Sequence, residues 1–375
     1  MRVLHWGTYD LGKPRARILR EGIRSTGASL QDCHRDIWSG LEDKTQAFRT
    51  KQFLWRLVRW LAAYPALIWR FLAGPRPDMV LTSFPGLLDI IVLAPFARMR
   101  GVPMAWDMFI SVYDTLVFDR GLARPGTLAA RCLFWLERFA IGRADFVFLD
   151  TEAHARRIES LFDLPPGSCG SVWVGAEVEH FQPTRRLEQS TDVFEVLFYG
   201  QFIPLHGVQT IVEAARLMQD SGVAWTLIGR GQEVSSVQRT LAEAPVPALR
   251  WIDWVDYAEL GSWIAKADLC LGIFGTSEKA ASVIPNKVFQ IVAAGRPVVT
   301  RDSPAVRELL EDSAPCVYLI PPGDPHALAE AVTRHMHHVS RFPAPRCHGA
   351  VVSRIAAPAI GRRFMQVVVP AVTGS

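Results

Sequence analysis

Short apolar runs alternate along this chain with longer stretches in which apolar residues recur every three or four positions. Runs of the first kind suit strands buried on both faces and stretches of the second suit amphipathic helices, so the alternation predicts βαβ units on parallel sheets. In the first half the expected strands are Arg2 to Trp6, Met79 to Thr82, Val102 to Trp106 and Phe146 to Asp150. A second series comprises Glu195 to Tyr199, Trp225 to Ile228, Leu249 to Ile252, Leu269 to Ile273, Pro297 to Thr300 and Cys316 to Ile320. Between the two series lies Phe181 to Thr191, FQPTRRLEQST, polar after its first residue and carrying a proline, which reads as an interdomain linker. The expected organisation is an N-terminal domain over 1–182, a linker over 183–191 and a C-terminal domain over 192–351. A last helix, about 352–375, is expected to return to the first domain. No internal repeat interrupts this plan.

One stretch departs from the plain pattern. Phe53 to Phe71, FLWRLVRWLAAYPALIWRF, carries three Trp and three Arg. Arg56, Arg59 and Pro65 lie inside it, whereas a bilayer-spanning helix needs about 20 mostly uncharged residues. Two readings fit: a helix packed on its sheet, or an interfacial helix with rings at the headgroups and arginines on anionic lipid. The neighbouring Arg49 and Lys51 favour membrane contact, for which Trp55, Arg56 and Arg59 are the candidates.

Composition agrees with a folded, two-domain chain: 375 residues with 49% apolar content bury enough surface to exclude disorder. A net charge of +4 is too small for a protein that coats nucleic acid, and no nucleic-acid partner is expected. The charge is uneven, however, since residues 1–76 hold 14 Lys or Arg against 6 Asp or Glu, which points to an anionic partner there. Six scattered cysteines, Cys33, Cys132, Cys169, Cys270, Cys316 and Cys347, show no metal-ligand spacing and read as reduced core residues. The opening MRVLHWGTYD has no secretory-signal pattern, so a cytoplasmic protein is expected, in contact with the inner face of the membrane. His335, His337 and His338 form HMHH without further ligands and are expected at the surface, and no metal site is expected.

Chemistry concentrates at strand-to-helix turns. Pro285 stands where a helix would start, Asn286 and Lys287 fall in its first turn, and Gly295 with Pro297 closes it before a strand. A helix start with a lysine suits phosphate. Phe198 to Ala215, FYGQFIPLHGVQTIVEAA, places Gly200, Gln201, His206 and Gly207 in another such turn, and Gly229-Arg230-Gly231 makes a third. In the first half, Gly7 and Thr8 follow the first strand and are candidates for the donor, Gly7 by allowing close backbone approach and Thr8 by its hydroxyl, while Tyr9, Asp10, Lys13 and Arg15 are candidates for an acceptor or its phosphates. A solvated basic helix face is the plain reading of the last two. Asp302-Ser303-Pro304 suits a helix cap or a contact to donor sugar or ribose. A dehydrogenase fingerprint is missing, since the first strand leads into GTYDLGKP rather than GxGxxG.

The succession GQFxPxHGVxTIxEAA, TLIGRG and IPNKVFQxxAAGRPVVT is similar to the donor-binding half of GT-B glycosyltransferases, in particular the retaining family four. The segments RVLHWGTYD and ADFVFLDTEAHARRI resemble its acceptor half, so the likeness covers essentially the whole chain. The resemblance implies two Rossmann-like doubly wound α/β domains facing across a cleft, with a nucleotide sugar held mainly by the second. It implies transfer to a hydroxyl acceptor with retention and without a required cofactor or metal, UDP- or GDP-sugars being the expected donors. Two departures stand out: relatives carry two glutamates where this chain has Ser282 and Gln290, and an Arg and Lys pair where it has Gln201 and His206. Lys287 then takes part of the diphosphate charge, and Val255 falls where relatives meet the base. Relatives have a histidine near the donor sugar in a region where this chain offers Asp107, a sugar ligand, acceptor-orienting group, base or ordinary turn aspartate.

The expected function is glycosyl transfer to a glycan or lipid-linked acceptor in cell-surface polysaccharide or glycoconjugate assembly. Two alternatives stay open: a degenerate relative that binds a nucleotide sugar or partner without turnover, and an epimerase acting on the nucleotide sugar itself.

Overall fold

The computed structural model describes residues 1–38, 53–182, 193–341 and 347–374. The expected linker over 183–191 and the side chain of Arg56 lie outside the described residues. The chain divides into two compact units, Met1–Val174 with Ala357–Ser375, and Gly175–Ala356.

The first unit is built on strands β1 (Arg2–Gly7), β2 (Ser29–His34), β3 (Met79–Ser83), β4 (Met104–Asp107), β5 (Phe146–Leu149) and β6 (Cys169–Ser171). They form one sheet in the order β2-β1-β3-β4-β5-β6, parallel at every pairing. Successive residues of a strand point to opposite faces, and both faces are apolar here. Val3, Leu81, Ala105 and Phe148 pack under helices α1 (Pro14–Ser25) and α14 (Ala357–Thr373). On the other face Trp6, Val80, Met104, Trp106 and Val147 lie under α2 (Phe53–Ala73), α3 (Leu87–Arg100), α4 (Leu128–Ile141) and α5 (Glu152–Leu161). The sequence pattern does not reveal β2 and β6: β2 reads SLQDCH at a sheet edge where polar residues are tolerated, and β6 has only three residues.

The second unit carries β7 (Phe194–Tyr199), β8 (Val223–Ile228), β9 (Leu249–Ile252), β10 (Leu269–Leu271), β11 (Val298–Arg301) and β12 (Val317–Ile320) in the order β12-β11-β10-β7-β8-β9, again all parallel. Its helices are α6 (Val208–Leu217), α7 (Val234–Glu243), α8 (Tyr257–Lys266), α9 (Glu278–Ser282), α10 (Asn286–Ala293), α11 (Pro304–Arg307), α12 (Pro325–Val339) and α13 (Gly349–Ile355). Phe198, Trp225, Leu271 and Val299 join Val208, Ile211 and Leu328 in the core. Two expectations are corrected here. Cys316 and Cys347 are not reduced thiols but form a disulfide, their Cα atoms brought to 5.4 Å across 31 residues of sequence. His335 is buried against Tyr318, at 3.2 Å from its hydroxyl, because α12 turns that face to the sheet.

Candidate functional site

In a doubly wound sheet, ligands bind outside the carboxyl ends of the strands where the strand order reverses. In the second unit the chain winds outward through β7, β8 and β9, then back through β10, β11 and β12, so the reversal lies between β7 and β10. The loops that follow those two strands are joined there: the Phe274 N–H donates to the His206 carbonyl at 3.0 Å and the Gly275 N–H to the Leu205 carbonyl at 3.2 Å.

Lys287 projects into this place from the first turn of α10, whose cap is Pro285. Its side chain is buried, its Nζ lies 3.7 Å from the centroid of the Phe198 ring, and that nitrogen has no hydrogen-bond partner among the described residues. A desolvated cation–π contact contributes about 2 kcal/mol, whereas withdrawing an ammonium from water costs several kcal/mol. Desolvation wins, and burial pushes the Lys287 amine well below its ordinary range. Gly200 closes β7 directly beside it with φ +139, a conformation that favours glycine, and a Cβ there would come within 2.9 Å of Nζ. The His206 ring borders the same spot and its Nδ1 hydrogen-bonds the Gln201 carbonyl, which fixes the ring at the loop. A buried amine of this kind, at a helix start and beside bare backbone, is suited to an anion that would hold it protonated.

The remaining donor-site candidates surround or flank this point to differing degrees. Gly207 caps α6, Asn286 opens α10, and Gln290 is buried one turn further along it. Ser282 ends α9 with its hydroxyl donating to the Lys279 carbonyl at 3.0 Å. Arg230 is exposed and stacks on Trp254 at 4.9 Å, and Val255 is half-buried just beyond β9. Ser303 caps α11 by accepting from the Val306 N–H at 3.2 Å, and Asp302 pairs with Arg307 at 2.6 Å.

The first unit treats its candidates differently, because most of them are turned inward. Thr8 is fully buried, and both its N–H and its hydroxyl donate to Asp89, at 2.8 and 3.0 Å. Asp89 also accepts from the Tyr64 hydroxyl at 2.8 Å, and burial pushes its carboxyl up to about 6. Gly7, expected to admit a ligand, instead admits Asp89: at φ +123, a Cβ would stand 2.2 Å from Oδ2. Tyr9, expected near an acceptor, is buried with its hydroxyl donating to Asp32 at 2.7 Å and its ring stacked on His5 at 3.5 Å. Arg20 donates to His5 Nδ1 at 3.1 Å, so the other ring nitrogen carries the hydrogen and donates to Ser83 at 3.0 Å.

Arg15 and Asp107 form a buried pair, with Nε at 2.7 and 2.9 Å from the two carboxylate oxygens. Arg15 further donates to the carbonyls of Val172 and Leu149, at 2.9 and 3.3 Å, tying together the ends of β4, β5 and β6. In this structure each of the two is engaged by the other rather than open to a ligand. Asp10 is buried and accepts from the Gly12 N–H at 2.8 Å, while Lys13 stands half-buried as the cap of α1. Trp55 and Arg59 are exposed on α2.

Sequence reasoning missed Asp89 and Glu137, the latter buried and accepting from Ser111, Val112 N–H and Tyr113 N–H at 2.8–2.9 Å. Burial pushes Glu137 up to about 7. A single carboxylate in each of two mostly apolar helical runs, LLDIIVL and LFWLERFAI, was the available signal. Among the described residues no group of three or more His, Cys, Asp or Glu could hold a metal ion.

Comparison with known proteins places the two halves. Residues 34–169 match the glycosyl transferase 4-like domain and residues 193–338 match the glycosyl transferases group 1 domain. HepE of Anabaena, solved with UDP, superposes with a TM-score of 0.70 over 98% of this chain and 100% of its own, at 13% identity. The chain belongs to the GT-B glycosyltransferases. Sucrose-phosphate synthase of Thermosynechococcus elongatus shares the fold of this glycosyltransferase at a TM-score of 0.71 and 17% identity, covering 100% of this chain and 99% of the other. The lipopolysaccharide outer core galactosyltransferase WaaB does so at 0.63 and 12%, over 98% and 99%. In sequence this glycosyltransferase is 25% identical to the probable glycosyltransferase WbjE of Pseudomonas aeruginosa over 275 residues, 70% of this chain and 64% of WbjE.

Proposed function

We propose that the second unit binds a nucleoside-diphosphate sugar and that the enzyme transfers the sugar, with retention, to a hydroxyl of a glycan or lipid-linked acceptor held by the first. The observation that carries this reading is Lys287, a buried amine with no hydrogen-bond partner among the described residues, at the strand-order reversal. The sugar C1–oxygen bond to the diphosphate breaks, a new bond forms from C1 to the acceptor oxygen, and the acceptor proton leaves with the diphosphate. Lys287 and the start of α10 offset the charge that develops on the departing diphosphate. Gly200, Gln201, His206, Gly207 and Asn286 line its approach, and Arg230, Val255, Ser282 and Gln290 complete the donor contacts. UDP is the favoured nucleotide, because HepE was solved with both UDP and UDP-glucose.

The setting is cell-surface polysaccharide or glycoconjugate assembly at the inner face of the membrane, a reading supported by the exposed Trp55 and Arg59 of α2. A thermal-shift screen against UDP-, GDP-, ADP-, CMP- and dTDP-sugars tests the donor site. A shift with UDP-sugars, followed by acceptor-dependent release of UDP, is expected; a cooperative melt that none of them moves refutes the reading. The neutral Ser282 and Gln290 favour the second reading of binding without turnover, which a shift without any transfer would establish.

A further inference from the structure

The outer surface of the α2–α3–α4 layer in the first unit is unusual for a soluble face. On α4, Leu128, Cys132, Trp135 and Phe139 follow one another at steps of four, three and four residues, and all are exposed, Leu128 to 77% and Trp135 to 60%. On α2 the corresponding stripe is Trp55, Val58, Trp69 and Leu72, with Trp69 70% exposed. Met99 of α3, equally open, stands on the helix between them. All three helices pack on the same sheet face through their other sides: Leu67 and Phe71 of α2, Ile90 and Leu93 of α3, Ala140 and Ile141 of α4. The outward stripes are therefore surplus to the core of this unit.

The charge on the layer has one sign. The only carboxylates on these helices, Asp89 and Glu137, are fully buried, so every exposed charge belongs to an arginine, among them Arg59, Arg70, Arg98 and Arg131. Arg138 and Arg143 lie over the rings of Trp135 and Phe139, at 6.0 and 4.3 Å. Aromatic rings flanked by arginines suit the headgroup region of an anionic bilayer. A second copy joined through the same surface would set arginines against arginines.

We infer that the α2–α3–α4 layer is a membrane seat for anionic lipid, with α4 as an anchor alongside α2. No described helix is long and apolar enough to cross a membrane, so the contact is interfacial. The inference rests on the reading of a membrane-associated acceptor, yet vesicle binding requires neither nucleotide nor acceptor, so its failure is separable from failure of glycosyl transfer.

The test is co-sedimentation of the full chain with vesicles of phosphatidylcholine alone or mixed equally with phosphatidylglycerol. The wild type is expected to bind the mixed vesicles, to be released by high salt, and to bind phosphatidylcholine weakly. Trp135→Glu with Phe139→Glu on α4 is expected to lower partitioning at least about tenfold, and Trp69→Glu on α2 to lower it less. Trp135→Ala with Phe139→Ala, which leaves charge unchanged, is expected to lower it in the same direction if the glutamate pair does not fold. Mixed vesicles that fail to bind the wild type, or that bind either α4 double variant equally well, overturn the inference. So does a lipid-free dimer, seen by light scattering, that the α4 variants dissociate.

Discussion

Replacing Lys287 with methionine separates the site's function from its stability. Methionine keeps most of the aliphatic stem and removes a buried nitrogen that has no hydrogen-bond partner among the described residues. Relief of an unsatisfied buried donor contributes about 1–3 kcal/mol, and loss of the Phe198 contact removes about 1–2 kcal/mol of that. The variant is thus expected to lie between about 1 kcal/mol less and about 2 kcal/mol more stable than the wild type, a change in Tm of about −4 to +8 °C for a unit of this size. UDP binding should weaken about 10- to 100-fold with the loss of a charge-assisted contact of about 1.5–3 kcal/mol. There is a protonic signature as well. Burial holds the Lys287 amine well below its ordinary value, and a diphosphate beside it would raise that value again, so UDP binding should take up protons. Titration calorimetry in two buffers of different ionisation heat reads this uptake directly, and Lys287→Met should abolish it. A variant that melts lower while binding UDP with unchanged affinity and unchanged proton uptake would refute the assignment.

Other outcomes follow from the same geometry. Gly200→Ala places a Cβ 2.9 Å from Lys287 Nζ at φ +139, and should remove the UDP-induced thermal shift while costing about 1–3 kcal/mol in urea unfolding. Arg15→Met leaves Asp107 buried and unpaired, and should destabilise the first unit by about 3–5 kcal/mol, measured by urea midpoint. If Arg15 instead served an acceptor, stability would hold and only transfer would fall. Glu137 is raised to about 7 in the folded protein, so the folded state binds the extra proton and stability from this group is lost as pH rises from about 4.5 to about 7. Asp89, raised to about 6, adds a loss of the same sign over a lower window. Urea midpoints should accordingly fall across that range, and Glu137→Gln should flatten the upper part; an unchanged slope would show that Glu137 does not carry it.

The candidate site was legible in part because some of its determinants are local. Pro285 before Asn286 and Lys287 announces a helix start whatever the rest of the chain does, since proline lacks the N–H that a first turn leaves unpaired. The same locality made Gly200 and Gly207 visible as turn residues. What no local pattern could show is that Lys287 Nζ finds no partner, because that depends on Phe198 and Gly200 arriving from another strand. In the first unit the tertiary contacts engage groups that the local reading left open. Thr8 meets Asp89 across 81 residues and Arg15 meets Asp107 across 92, so groups that look available to a ligand are already engaged.

By itself, the sequence determined the alternation of strands and helices, two α/β halves and the sites of tight turns, because side-chain period and backbone restriction act over a few residues. It also determined the surplus of arginine and tryptophan in the first unit. The tertiary structure alone decided the edge strands β2 and β6, the Cys316–Cys347 disulfide, and which polar groups are satisfied inside and which are left open. The physical reason is that burial and pairing are properties of segments brought together from far apart, and a buried charge reads as structural or functional only once its neighbours are known.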